Sequence, residues 1–218
     1  MKYYVLSHSA EKNEVGDWPQ ADSTEVNHIS ENDPKSRANL SNEHFPEVGP
    51  SLDLKLSKKA KFTDIVSTSN ITARGIFVSE EVKKSLEKFK IMNHKFYPGS
   101  VLVKEERKIF YWLHIVNDSL KGIDFEKSKF AEYDICGDVE RSGIIWRSEK
   151  ELYSMSLECD GLNYIGAGEI VLKEEYRKFD IFLFPNIHRD IIISEAVLND
   201  LKANGFSGYR IREADFMS

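Results

Sequence analysis

The chain has 218 residues, 41% hydrophobic and 30% charged, a mixture that suits a globular fold able to bury a sizeable core. A formal net charge of -6 argues against general nucleic-acid affinity, which needs a basic footprint. No run of about 18 apolar residues is present, so no membrane-spanning helix is expected.

Residues 2–7, rich in tyrosine, valine and leucine, read as a strand. Residues 8–50 form a long polar segment with no clear period, punctuated by Gly16, Pro19, Pro34, Pro46 and Pro50. A loop of that length in a compact domain is usually functional or mobile, and Trp18 and Pro19 are expected to pin it to the body. Residues 1–50 hold nine acids and four bases, net -5, while the other 168 residues carry only -1. Leu52, Leu54 and Leu56 alternate with polar residues and read as a half-buried strand. Thr63 is expected to cap a short helix containing Ile65 and Val66.

A stretch that occurs twice follows. Residues 74–96 and 189–211 align without a gap at an offset of 115. Six positions are identical: Arg74/Arg189, Ile76/Ile191, Ser79/Ser194, Glu80/Glu195, Val82/Val197 and Leu86/Leu201. In each copy three apolar residues read as a buried strand. A serine then caps a helix, with a glutamate at the positive end of its dipole. Val82, Leu86 and Phe89 share one helix face, as do Val197 and Leu201; burying each is worth roughly 1.5–3 kcal/mol. Gly205 sits where a helix would end. Residues 94–96 and 209–211 alternate like emerging strands. Two copies are too few for a solenoid, which needs about three. The pattern predicts a single α+β domain over 1–218, mostly antiparallel, with a pseudo-duplicated strand–helix–strand unit.

Between the copies, residues 101–103 and 109–116 predict a hairpin turning at 104–108, its second strand apolar on both faces and therefore central. Residues 144–146, 152–157 and 170–172 read as strands or short helices. Residues 179–184 read as a strand leading into the second copy.

Candidate chemistry is sparse. His114 lies in an apolar run and reads as a core histidine; His188 precedes the second copy. His8, His28 and His44 are too far apart for a metal motif such as H-E-x-x-H. Cys136 and Cys159 lack C-x-x-C spacing. Two thiols with no secretory signal indicate a reducing, cytoplasmic setting. Gly166-Ala-Gly168 lacks the third glycine and the strand–helix context of a dinucleotide loop. Ser85-Leu-Glu-Lys88 matches S-x-x-K inside an amphipathic helix. Ser79 and Ser194 read as caps rather than nucleophiles. No cofactor or metal is expected.

The order of certain stretches adds to this. Tyr3-Tyr-Val-Leu-Ser comes first, then Asp17-Trp-Pro-Gln20, Gly75-Ile-Phe-Val-Ser-Glu with its helix, and Phe110-Tyr-Trp-Leu-His-Ile-Val-Asn117. Ile123-Asp124 and Ser128 follow, then Asp180-Ile-Phe-Leu, Ile191-Ile-Ile-Ser-Glu and Gly208-Tyr-Arg-Ile211. This order resembles the eleventh immunity family of bacterial polymorphic toxin systems, most clearly over 74–128 and 179–211. Where that family often has an arginine after Asp-Ile-Phe, this chain has Leu183. The resemblance implies a non-catalytic cytoplasmic inhibitor that binds a cognate toxin domain, with specificity in variable loops. On charge, Asp17, Asp22, Glu25, Glu31 and Asp33 are the expected partner contacts, with Trp18 as an apolar anchor among them. The alternatives are a hydrolase-type enzyme with a site built from His114 or His188 and carboxylates, and a non-inhibitory adaptor module.

Overall fold

The computed structural model describes residues 2–23, 29–30, 32–69, 71, 73–117, 120–158, 163–184, 187–188 and 190–218. The chain begins with β1 (Tyr3–His8), one helical turn α1 (Lys12–Val15), β2 (Ala21–Ser23) and a 3-10 turn at Arg37–Asn39. Next come β3 (Asp53–Leu56), β4 (Ile65–Val66), β5 (Gly75–Ser79), α2 (Glu80–Leu86), β6 (His94–Val103) and β7 (Glu106–Ile115). Then follow β8 (Lys129–Asp134), β9 (Val139–Ile144), α3 (Glu149–Glu158) and β10 (Asn163–Glu169). The chain closes with β11 (Ile181–Phe182), β12 (Ile191–Ser194), α4 (Glu195–Ala203) and β13 (Tyr209–Glu213). Almost every pairing is antiparallel, and the fold is mixed α+β as expected.

The duplication is real and larger than the repeated sequence. In the first unit β5 pairs with β7, with Ser79 opposite Phe110 and Ile76 opposite Leu113. In the second β12 pairs with β1, with Ser194 opposite Tyr3 and Ile191 opposite Leu6. The other flank agrees: Leu113 faces Phe96 across β6, and Leu6 faces Ile211 across β13. Phe96 and Ile211 are again 115 apart. On the outer side Ile65 of β4 opposes Val78, and Ile181 of β11 opposes Ile193. Each unit is therefore a four-stranded sheet of equal register, β6-β7-β5-β4 and β13-β1-β12-β11, carrying one helix. β1 takes the place of β7. The first sheet is extended by β3, parallel to β6, and by β2; a parallel bridge between Ile170 and Met217 echoes the β3 pairing in the second unit.

The two units are stitched reciprocally. Asp64, just before β4, accepts from the backbone N and Oγ of Ser207, after α4, at 2.9 and 2.7 Å. Asp180, just before β11, accepts from the backbone N of Lys90, after α2, at 3.0 Å. The helices meet where Ser85 donates to Asp200, its repeat equivalent, and Lys88 lies 3.4 Å from the same carboxylate. That pair accounts for the S-x-x-K match as helix packing. Leu86 and Leu201 are both fully buried in one shared apolar core. A second core, around Phe77, Phe110 and Trp112, lies on the far face of the six-stranded sheet.

Several expectations change. Ile65 and Val66 form strand β4, not a helix: both are β-branched, and the run is held by pairing with Val78 and Phe77. Thr63 is no cap; its Oγ1 donates to Ile65 O at 2.7 Å. Ser79 caps α2 through the Val82 N–H at 3.3 Å, but Ser194 does not cap α4; its hydroxyl donates to Asp180 Oδ1 at 2.9 Å. The hairpin begins at His94 rather than Val101 and turns in two residues, Lys104 and Glu105. Residues 152–157 lie in α3, Ile144 ends β9, and of 179–184 only Ile181 and Phe182 are strand. Gly205 has φ +65° and ends α4, a conformation glycine adopts freely. Cys159 and Arg189 lie outside the described residues.

Trp18 does not pin the polar segment, since it is 61% exposed. Gln20 does so instead. It is fully buried, its Nε2 donates to Lys61 O and Thr63 Oγ1, both at 2.8 Å, and its Oε1 accepts from Ser67 N at 3.1 Å.

Candidate functional site

The expected partner contacts fall on different local elements. Asp17 and Trp18 follow α1, Asp22 is on β2, and Asp33 sits in a turn where its Oδ1 accepts from Lys35 N at 2.7 Å. Glu25 and Glu31 lie outside the described residues.

Both named histidines are committed internally. His114 is fully buried, its Nε2 lies 2.7 Å from Ser41 O, and burial holds its pKa below the ordinary value. His188 stacks on Phe216 with ring centres 4.7 Å apart. Arg212 donates to its Nε2 at 2.8 Å, and its Nδ1 lies against the Asp190 backbone at 3.2–3.3 Å. Arg74 donates to its carbonyl oxygen at 3.1 Å. Burial lowers the His188 pKa, partly opposed by Asp190 and reinforced by Arg212 and Arg74. The ring is therefore neutral at pH 7, and neither nitrogen has a lone pair directed at a substrate.

His188 stands on the wall of a cleft of about 1410 Å3. One wall is formed by β10, Tyr133 of β8, the turn after it and α3; the other is the second unit, through His188, Asp190, Arg212 and Phe216. Arg74, which opens the first repeat copy, also reaches it. Among the described residues Ile135, Tyr153 and Tyr164 are large apolar side chains that are exposed; Val139 and Ile145, on and just after β9, are exposed as well. Ile135, Tyr153 and Tyr164 line the cleft itself. Tyr164 stacks on Tyr133 at 5.5 Å, and Tyr133 in turn donates to Ala167 O at 2.6 Å. Gly166 is needed beneath that pair, since a Cβ there would lie 2.7 Å from the Tyr133 ring. The Gly166-Ala-Gly168 run thus serves strand packing in β10, not a phosphate loop.

Sequence reasoning missed this cleft. Arg74 was marked only as a repeat identity, and Arg212 lies just beyond the second copy. The apolar rim between 135 and 164 has no helical or strand period to draw attention. Among the described residues, no three His, Cys, Asp or Glu side chains gather as a metal site, and no helix is long and apolar enough to cross a membrane. No family model matches the chain, and no curated protein matches it.

Proposed function

We propose that the chain is an immunity protein that binds and neutralises a cognate toxin domain without chemistry of its own. The observation that carries this reading is the cluster of exposed apolar side chains around the cleft. Such patches mark interaction surfaces, and aromatic residues dominate binding hot spots. The stretches that resemble the immunity family fall mostly on the duplicated scaffold, with Asp17–Gln20, Ile123-Asp124 and Ser128 outside it. The cleft lobe, residues 129–169, falls between them, where a variable specificity region belongs. The hydrolase alternative draws on His188 in the cleft, but both its ring nitrogens are engaged within the chain. His114 is sealed in the core.

The acidic segment has a separate part, in encounter. Neutralising Asp17, Asp22, Glu25, Glu31 and Asp33 together is expected to slow association at low salt and flatten its salt dependence, because complementary charge acts mainly on the on-rate. An association rate unchanged at every salt concentration would remove the segment from the mechanism. The decisive experiment for the reading itself is co-expression with the product of a neighbouring toxin gene. Co-purification and protection from toxicity are expected; a chain that neither binds nor protects is not an immunity protein.

A further inference from the structure

The 115-residue offset extends beyond the two repeat copies. Ile170 and Met217, which form a parallel bridge, are the counterparts of Lys55 and Leu102 in the parallel pairing of β3 with β6. Glu169 pairs with Lys129 of β8 as its counterpart Leu54 pairs with Ser23 of β2, both antiparallel. β8 therefore stands in the second unit where β2 stands in the first. The link from β2 to β3, residues 24–52, corresponds to the link over residues 135–167, which contains β9, α3 and most of β10.

The two links treat their sheets differently. In the first unit the link lies down on the sheet, over residues 40–49. Leu40 is buried in the second core with Ala73, Tyr97 and Val101. The Ser41 carbonyl oxygen meets His114 Nε2 at 2.7 Å, Asn42 Oδ1 accepts from Arg74 N at 2.7 Å, and the Phe45 ring meets the His114 ring edge-on at 5.4 Å. This stretch has no helix or strand of its own. In the second unit the counterparts of Ala73, Tyr97 and Val101 are His188, Arg212 and Phe216. The first three are buried, whereas His188 and Phe216 are half-buried and Arg212 is exposed. All three stand on the cleft wall, because here the link rises from the sheet and forms the opposite wall. The cleft is thus the place that the first unit fills with an irregular segment of its own chain.

Charge does not choose the occupant. The lining holds three acids, Glu43, Glu149 and Asp190, and three bases, Arg74, Lys150 and Arg212, and Arg212 lies 4.0 Å from Asp190. Size and apolar surface do choose. Small-molecule pockets run to roughly 300–1,000 Å3, and this cleft is larger at about 1410 Å3. Its lining offers the exposed side chains of Ile135, Tyr153 and Tyr164, and apolar anchors set in such places carry most of the energy of a protein interface. We propose that the cleft seats an irregular loop of the partner protein, in the place residues 40–49 hold in the first unit. A large apolar side chain anchors it against Ile135, Tyr153 and Tyr164, as Leu40 and Phe45 anchor the chain's own segment, and no ion pair is needed. The inference deepens the binding reading and rests on it, yet its test does not need the toxin.

The intact protein is panned against a display library of random linear peptides. Enriched peptides are expected to share a Trp, Phe, Tyr or Leu and no common charge. The affinity of the best peptide should hold from low to high salt, since screening acts on charges and not on apolar contact. Ile135→Asp and Tyr153→Asp, both at exposed positions, are each expected to weaken it by at least about tenfold, the change that 1.4 kcal/mol makes, with the parent's circular dichroism retained. Trp18→Ala, at an exposed aromatic away from the cleft lining, should leave the affinity unchanged. Failure to enrich any peptide, affinity unmoved by both cleft variants, or enriched peptides that share a charge and dissociate at high salt overturns the proposal. A parent that dimerises in sedimentation, and that Ile135→Asp returns to monomer, would give the cleft to a second copy and overturn it as well. If peptides bind in the cleft but no neighbouring toxin does, the toxin reading fails and the cleft assignment stands. If the toxin binds equally well to parent, Ile135→Asp and Tyr153→Asp, the toxin reading stands and the cleft assignment fails.

Discussion

The repeat makes equal demands at Leu86 and Leu201, which occupy one core from two helices. Leu→Ala at either is expected to cost on the order of 2–5 kcal/mol in denaturant unfolding, the range for a buried leucine. A loss under ~1 kcal/mol at one site would mean the two units do not share that core. These leucines were legible because helix spacing and identity coincide. The two serines were only half legible: the same Ser-Glu step caps α2 through Val82 N, but at α4 the hydroxyl turns to Asp180, a partner fourteen residues upstream. His8 was read only as one of three scattered histidines. It stands in β1 at the place Ile115 holds in β7, its Nε2 is buried with no hydrogen-bond partner, and burial pushes its pKa down to about 4. The unfolded chain takes up a proton near pH 6.5, the folded chain only near 4. Stability is therefore present above about pH 6.5 and lost as pH falls towards 4, by on the order of 3 kcal/mol across the window. His114 and His188, also lowered, act in the same direction. His8→Ile should flatten this slope in urea titrations at successive pH values; an unchanged slope would show that His8 titrates alike in the folded and unfolded chain.

Elements were legible where one face is apolar over several residues, and illegible where pairing alone makes the strand. β5, α2, β7, β12 and α4 follow from their pattern. β8, β9 and β10 do not: β9 is exposed nearly throughout, and β8 meets β9 with two register shifts. No local alternation survives that geometry, so the lobe that builds the cleft was the part least visible in advance. β4 was mistaken for a helix because two residues carry no period. Its identity comes from Val78 on one side and Ser207 on the other, both distant in sequence. The polar segment of 8–50 was rightly read as aperiodic, but its anchor was assigned to the wrong residue. A tryptophan looks like an anchor by size, yet a glutamine holds the segment by satisfying buried backbone and side-chain groups. Gln20→Leu would leave Lys61 O and Ser67 N without that amide, at a cost on the order of 2–4 kcal/mol. Limited proteolysis should then cut within 8–50 at denaturant concentrations where the parent is intact. Equal resistance of Gln20→Leu and parent would assign the anchoring to Val15 and Leu40 instead.

At the scale of the whole molecule, the two units differ in how the chain reaches their central strand. β7 follows β6 through the turn at Lys104 and Glu105, whereas β1 stands ahead of the unit it completes. The sequence hid this equivalence because Phe110-Tyr-Trp-Leu-His matches Tyr3-Tyr-Val-Leu-Ser at an offset of 107 while the rest of the repeat runs at 115. The two ends of the described chain are close: Ala214 N donates to Tyr3 O at 3.1 Å, and Lys2 lies 3.4 Å from Glu213. A circular permutant follows from this. Joining the ends with a short glycine-rich linker and opening the chain between Lys104 and Glu105 would put β7 first and let β1 follow β13. The two units would simply exchange roles. The opened turn contains Lys104 at φ +56°, a conformation that favours glycine, so opening it also releases local strain. Loop length itself matters little, since doubling a loop costs only about 0.6 kcal/mol. The permutant is therefore expected to keep its far-ultraviolet circular dichroism and a single cooperative unfolding transition. An unfolded or non-cooperative permutant would mean that the β6–β7 hairpin is a nucleus the second unit cannot replace, and that the two units are alike in register but not in folding.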